Sequence, residues 1–179
     1  MPELYNDEPD AFTQQPLYVT EERAKVVYTT PPLPTDLHVT GNPIVKFWAS
    51  IDKKDTTWRV DIREHGSTGP CSLTQGWLRA SMRKRIPEED KPWYLEHDFT
   101  QFDYPEPGEI YEYEIMLRPM AMVFKAGTQI DFEISCIDIP TDPETYDCMW
   151  HICPAQTCMH KIYRDKDHPS VLKLPIANL

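Results

Sequence analysis

Glycine is scarce, the cysteines are odd in number, and no long apolar run is present. The chain has 6 glycines in 179 residues, about half the usual share. No pair of them brackets a serine as G-x-S-x-G, so the strained turn that presents a hydrolase nucleophile is missing. Gly66-Ser67-Thr68-Gly69 has the letters without the spacing. No stretch approaches the length needed to span a bilayer, and the start, MPELYNDEPD, has neither a basic n-region nor an apolar h-region. The sequence therefore reads as soluble and cytoplasmic, with no membrane partner. Lys and Arg number 18 against 29 Asp and Glu, a net charge of −11, which opposes binding to nucleic acid through its phosphates. Cys71, Cys136, Cys148, Cys153 and Cys158 are an odd set without the spacing of a small disulfide scaffold, which points to reduced thiols.

What is plentiful is proline, aromatic and β-branched residues. The 18 prolines suit many strands joined by stiff loops rather than helices. Residues 1–22 carry six acidic and no basic side chains, so 1–23 is expected to be an acidic lead or linker and 24–179 the domain. Within it, Ile44 to Ile51 alternates, and Thr57 to Glu64 sets Trp58, Val60 and Ile62 on one face against Arg59, Asp61 and Arg63 on the other. Period two predicts two half-buried strands, and Asp52-Lys53-Lys54-Asp55 between them reads as a hairpin turn. Tyr111 to Leu117 and Ile130 to Cys136 make a second hairpin-like pair, and 93–99 is a weaker strand candidate. Eight or nine strands with little helix predict an all-β, two-sheet sandwich.

Residues 73–83, LTQGWLRASMR, read as an excursion between two strands. Gly76 would permit a turn there, Trp77 and Leu78 would anchor it by burial, and Arg79 and Arg83 would fix its position or meet a partner. The two arginines would share a face in a helical turn and clamp a carboxylate, most simply one from this acidic chain itself.

Cys148, His151, Cys153, Cys158 and His160 form the densest set of soft metal donors. Both cysteine gaps have four intervening residues, and Pro154 interrupts the second, which is a weak match to zinc knuckles. The expectation is no metal and no cofactor. Asp167, His168 and Ser170 have the residue types of a triad, but near neighbours on a strand point apart. Trp93, Tyr94 and Tyr104 lie in loop-like sequence where a sugar ring could stack.

Four blocks together resemble one family: VYTTPPLPTDLHVTG, ASIDKKDTTWRVDI, LTQGWLRASMR, and PGEIYEYEIMLRPMAMVFKAGTQIDFEISCIDIP with HPSVLKLPI after it. In order and spacing they are similar to the C-terminal domain of X-Pro dipeptidyl-peptidases and cocaine-esterase-like (CocE/NonD) hydrolases. The resemblance implies a jelly-roll sandwich of galactose-binding-like type. It also implies that the catalytic Ser, Asp and His belong to an α/β-hydrolase domain not contained in this sequence. That domain is the implied partner, with a homo-oligomer as a further possibility, and the chain alone is expected to be inactive. The alternative is a stand-alone carbohydrate- or ligand-binding module. Between residues 141 and 156 the sequence departs from the family pattern, carrying the Cys, His and Trp cluster in place of an Asn- and Gly-rich loop.

Overall fold

The computed structural model describes residues 6–16, 19–20, 22–67, 72–91, 94–137 and 156–177. Eleven strands lie among them: β1 (Asn6–Gln14), β2 (Lys25–Thr29), β3 (Leu37–Gly41), β4 (Ile44–Ile51), β5 (Thr57–Glu64), β6 (Thr74–Arg79), β7 (Tyr111–Met116), β8 (Met120–Phe124), β9 (Ile130–Ser135), β10 (Cys158–Arg164) and β11 (Val171–Lys173). Helix is confined there to two single 3-10 turns, Ala80–Met82 and Pro87–Glu89.

All strand pairings are antiparallel. One sheet runs β1–β10–β4–β7, with β11 taking over from β10 along the same edge of β4. The other runs β2–β9–β5–β6, and β3 pairs with β8 as a separate ribbon. This is the all-β, two-sheet sandwich that the alternation predicts, in the jelly-roll form that the resemblance implies.

The two inner faces meet on Trp58, which is fully buried. Phe47 from β4 meets its ring edge-on at 5.2 Å, and Tyr113 from β7 and His160 from β10 each lie 5.2 Å away. Val45, Ile51, Val60, Ile62, Ile115, Ile130, Ile134 and Ile162 complete the layer. Each large side chain buried in this way contributes about 1.5–3 kcal/mol.

Neither expected hairpin forms. β4 pairs with β7, β10 and β11, while β5 pairs with β6 and β9, so residues 52–55 carry the chain from one sheet to the other. β7 and β9 likewise belong to different sheets. Period two reports which face of a strand is buried, and two strands with apolar faces satisfy it equally well by facing each other across a core.

Three strands go beyond the expected count. Asn6–Gln14, read as part of the lead, pairs with β10 and buries Phe12 and Gln14. Its register slips between Asn6 and Asp10, the interval containing Pro9, where an edge tolerates a residue without an N–H. β8 has only Met120 and Phe124 buried, too few inward residues to show alternation. β6 is the third. By contrast, 94–99 contributes only isolated bridges, Arg85 with His97 and Lys91 with Tyr94.

β5 is buried on both faces, contrary to the half-buried expectation. Arg59, Asp61 and Arg63 are 4%, 0% and 8% exposed. Asp61 accepts from Arg59 at 2.7 Å and Arg23 at 3.3 Å, while Glu133 on β9 accepts from Arg23 and Lys25, each at 2.5 Å. Burial by itself would raise the Glu133 carboxyl, but the Lys25 hydrogen bond and the charges of Arg23, Lys25 and Arg63 hold it below its ordinary value.

Candidate functional site

β6 and β7 are the edge strands of their sheets on one side of the sandwich, and the chain between them carries both 3-10 turns. Residues 73–83 are not a loop but β6 followed by the Ala80–Met82 turn. Alternation sends Thr74, Gly76 and Leu78 inward and Gln75, Trp77 and Arg79 outward. Leu78 is thus in the core as expected, whereas Trp77 stands half-buried on the outer face. The Arg118 guanidinium lies 4.8 Å and that of Arg59 5.9 Å from its ring centre, distances at which a cation is attracted to an aromatic face.

Gly76 is needed for closeness rather than for a turn, since its φ is not positive. A Cβ there would stand 2.8 Å from the Met116 carbonyl oxygen, 3.0 Å from Ile115 Cγ2 and 3.2 Å from Leu117 Cα. The seam beside it is sewn by Arg118 N–H donating to the Gln75 carbonyl at 3.0 Å and the Thr74 hydroxyl donating to the Arg118 carbonyl at 2.6 Å. Gly76→Ala is therefore expected to cost about 1–3 kcal/mol by overpacking, read as a lower urea midpoint at unchanged slope. A change below about 0.5 kcal/mol would show that the seam opens freely.

From the end of β6 onward, four cations are tied to this chain's own carboxylates. Arg79 reaches Asp55 at 2.6 Å, Arg83 reaches Asp103 at 3.0 Å, and Lys84 reaches Asp98 at 3.4 Å. Arg85 grips Asp90 at 2.6 Å and also pairs with Glu114 on β7. The Glu96 N–H and then the Arg85 guanidinium hold the Asp90 carboxyl below its ordinary value, and the hydroxyl and N–H of Thr100 do the same for Asp98. His97 is pushed down by burial and by the Arg85 charge, and its ring nitrogens face the Leu95 and Glu114 carbonyls. Arg79 and Arg83 do not share one carboxylate; each has its own.

On this braced scaffold large aromatics stay in solvent. Phe99, Phe102 and Tyr104 are 53%, 51% and 49% exposed. Phe102 stacks on Tyr104 at 5.5 Å, Phe99 on His97 at 5.7 Å, and the Arg79 guanidinium covers Phe102 at 5.3 Å. Sequence reading singled out Tyr104 and missed Phe99 and Phe102, although FTQFDYPEPG carries both just ahead of a strong turn signal.

Among the described residues the other sequence candidates do not converge. Cys148, His151, Cys153 and Trp93 lie outside the described residues. Cys158 and His160 sit inside β10, both buried; burial and then the Asp52 charge push the Cys158 thiol up to about 12, and burial takes His160 down to about 4. No three His, Cys, Asp or Glu side chains come together as metal ligands among the described residues. His168 bonds Asp165 at 2.9 Å rather than Asp167, and the Ser170 hydroxyl donates to the Tyr163 carbonyl at 2.7 Å, so the three residues form no relay. No helix among the described residues is long and apolar enough to cross a membrane.

Comparison with known proteins gives this surface a context. Residues 3–173 match the family described as the X-Pro dipeptidyl-peptidase C-terminal non-catalytic domain. A Mycobacterium tuberculosis protein named for serine esterase activity is 26% identical over 157 residues, which is 84% of this chain but 24% of that protein. A Bacillus anthracis protein named for Xaa-Pro dipeptidyl-peptidase activity is 26% identical over 114 residues, 64% of this chain and 17% of that one. A CocE/NonD family hydrolase from Staphylococcus aureus superposes with a TM-score of 0.75 at 22% identity, covering 97% of this chain and 34% of that chain, a likeness of fold. The chain thus spans about a quarter or less of the curated relatives it matches.

Proposed function

Because this chain belongs to the family of X-Pro dipeptidyl-peptidase C-terminal non-catalytic domains, we propose that it docks as the accessory sandwich of a serine hydrolase of the X-Pro dipeptidyl-peptidase or cocaine-esterase type. Its partner in this reading is the α/β-hydrolase domain, and its task is to support that domain and help shape the substrate cleft. The observation that carries the reading is the exposure of Phe99, Phe102 and Tyr104 together on one braced segment. Aromatic clusters of this kind are enriched at interfaces, where their burial supplies much of the binding energy. The ion pairs around them would hold the surface in its docking shape and lower the ordering cost of association.

The chain by itself is expected to hydrolyse neither X-Pro amides nor acyl esters, because its sequence holds no G-x-S-x-G nucleophile elbow. Stoichiometric labelling of one serine by a fluorophosphonate would contradict this. Docking is measured by titrating the chain with the α/β-hydrolase domain encoded in the same genome. Replacing Phe102 and Tyr104 together by Ala is expected to weaken association at least about ten-fold, as loss of central aromatic anchors does, with little change in thermal stability. Equal affinity of the double variant would remove the aromatic face from the interface.

A further inference from the structure

A groove of about 350 Å³ lies beside the docking face, over the seam of β6 and β7. Its apolar lining comes from Trp77, Tyr94, Leu95, Phe99 and Met116. The polar side chains along it are already engaged. Glu114 is taken by Arg85 and by Lys173, and Gln75 accepts from Arg59 at 2.8 Å and from Ser72 at 3.0 Å. Asn42 donates to the Leu117 carbonyl at 2.9 Å, and His97 lies between two carbonyls.

Arg118 differs from these. It is exposed, its guanidinium rests 4.8 Å from the Trp77 ring centre, and it makes no ion pair among the described residues. In a chain with 29 Asp and Glu to 18 Lys and Arg, an arginine with no carboxylate partner among the described residues stands out, the more so because Arg79, Arg83 and Arg85, at and after the end of β6, all have one. Its planar fork is preorganised by the indole beneath it, and such a fork matches a carboxylate with two parallel N–H···O bonds. An apolar cleft with one placed charge is also the usual make-up of a small-molecule site.

We infer that this groove binds a small carboxylate with a flat apolar body, the carboxylate on Arg118 and the ring among Trp77, Tyr94 and Met116. The inference stands on this chain alone and does not depend on docking to a hydrolase. It is tested by calorimetric titration of the chain with phenylacetate and indole-3-acetate, using phenylacetamide as the uncharged control. Saturable binding of an acid with a Kd below about 1 mM is expected, with the amide at least about ten-fold weaker because the charge-assisted pair is lost. Arg118→Gln is expected to abolish the preference for acid over amide without moving the melting temperature, and Tyr94→Ala to weaken acid and amide alike. Absence of saturation at about 10 mM, or equal binding of acid and amide, overturns the inference. So does an Arg118→Gln variant that loses hydrolase-domain binding while the wild-type chain binds no carboxylate, since Arg118 would then belong to the docking face.

Discussion

Asp61→Ala is expected to lower the unfolding free energy by about 3–5 kcal/mol, the cost of removing one partner from a buried charge network. A domain of ordinary stability has about 5–15 kcal/mol in total, so the variant would melt far below the parent or fail to accumulate. The Asp61 carboxylate is fully buried and is shared by Arg59 and Arg23, whose side chains are 5% and 11% exposed. Removing it leaves two guanidinium groups facing each other and the cations held by Glu133 in a setting with little water to screen them. Asp61→Asn, which keeps an acceptor and loses the charge, is expected to fall between the two. Urea titration gives the measurement, and Lys125→Ala supplies the contrast: the Lys125–Asp36 pair is 74% and 42% exposed, and pairs of that kind contribute about 0–1 kcal/mol. An Asp61→Ala loss below about 1 kcal/mol would mean that water reaches the outer face of β5 freely.

Arg59, Asp61 and Arg63 alternate with Trp58, Val60 and Ile62, a pattern that signals a polar face but not what covers it. Here charges from strands distant in sequence, Arg23 and Lys25 at β2 and Glu133 on β9, close over the central strand. Only the β9–β5 pairing brings Asp61 opposite Glu133. The same limit explains the two hairpins that do not form, because inward-facing residues are legible one strand at a time and partners are not.

Gly76 illustrates the converse. Glycine before a bulky residue reads as a turn, since turns are its commonest use, yet here it admits the β7 backbone to within van der Waals reach of β6. The all-β class, eight of the strands, the burial of Leu78 and the pairing of Arg79 and Arg83 with this chain's own carboxylates were legible from residue type and spacing. Strand order, the exposed Phe99 and Phe102, and the lack of an ion pair at Arg118 among the described residues depend on contacts between residues far apart in sequence, as Val26 with Ile134 and Asn6 with Arg164 are, and a local pattern does not encode such contacts.

Acid is expected to weaken the fold well before the carboxylates titrate, and His160 is the principal cause. Its ring is fully buried, stacked on Phe12 at 4.5 Å and edge-on to Trp58 at 5.2 Å, with Nε2 2.9 Å from the Thr56 hydroxyl. Burial drives its pKa down to about 4 against the opposing pull of the Asp52 charge, so the folded state holds it neutral. Unfolded, the ring takes up a proton near pH 6.5. Its contribution is therefore complete above about pH 6.5 and declines as pH falls toward about 4, where the folded ring protonates as well. Over that window the loss sums to about 3 kcal/mol. His97, also lowered by burial, adds in the same direction. Glu133, Asp90 and Asp98 are held below their ordinary values, so what they contribute is lost only below about pH 4, where their unfolded forms protonate. Urea midpoints at pH 7, 5.5 and 4.5 should fall in order in the wild-type chain. In His160→Gln, which keeps a polar group beside Thr56 but cannot titrate, most of that slope should vanish, at the expense of some stability at pH 7. A wild-type midpoint equal at pH 7 and 4.5 would show that His160 accepts a proton in place, and that the Trp58 core opens more readily than its packing indicates.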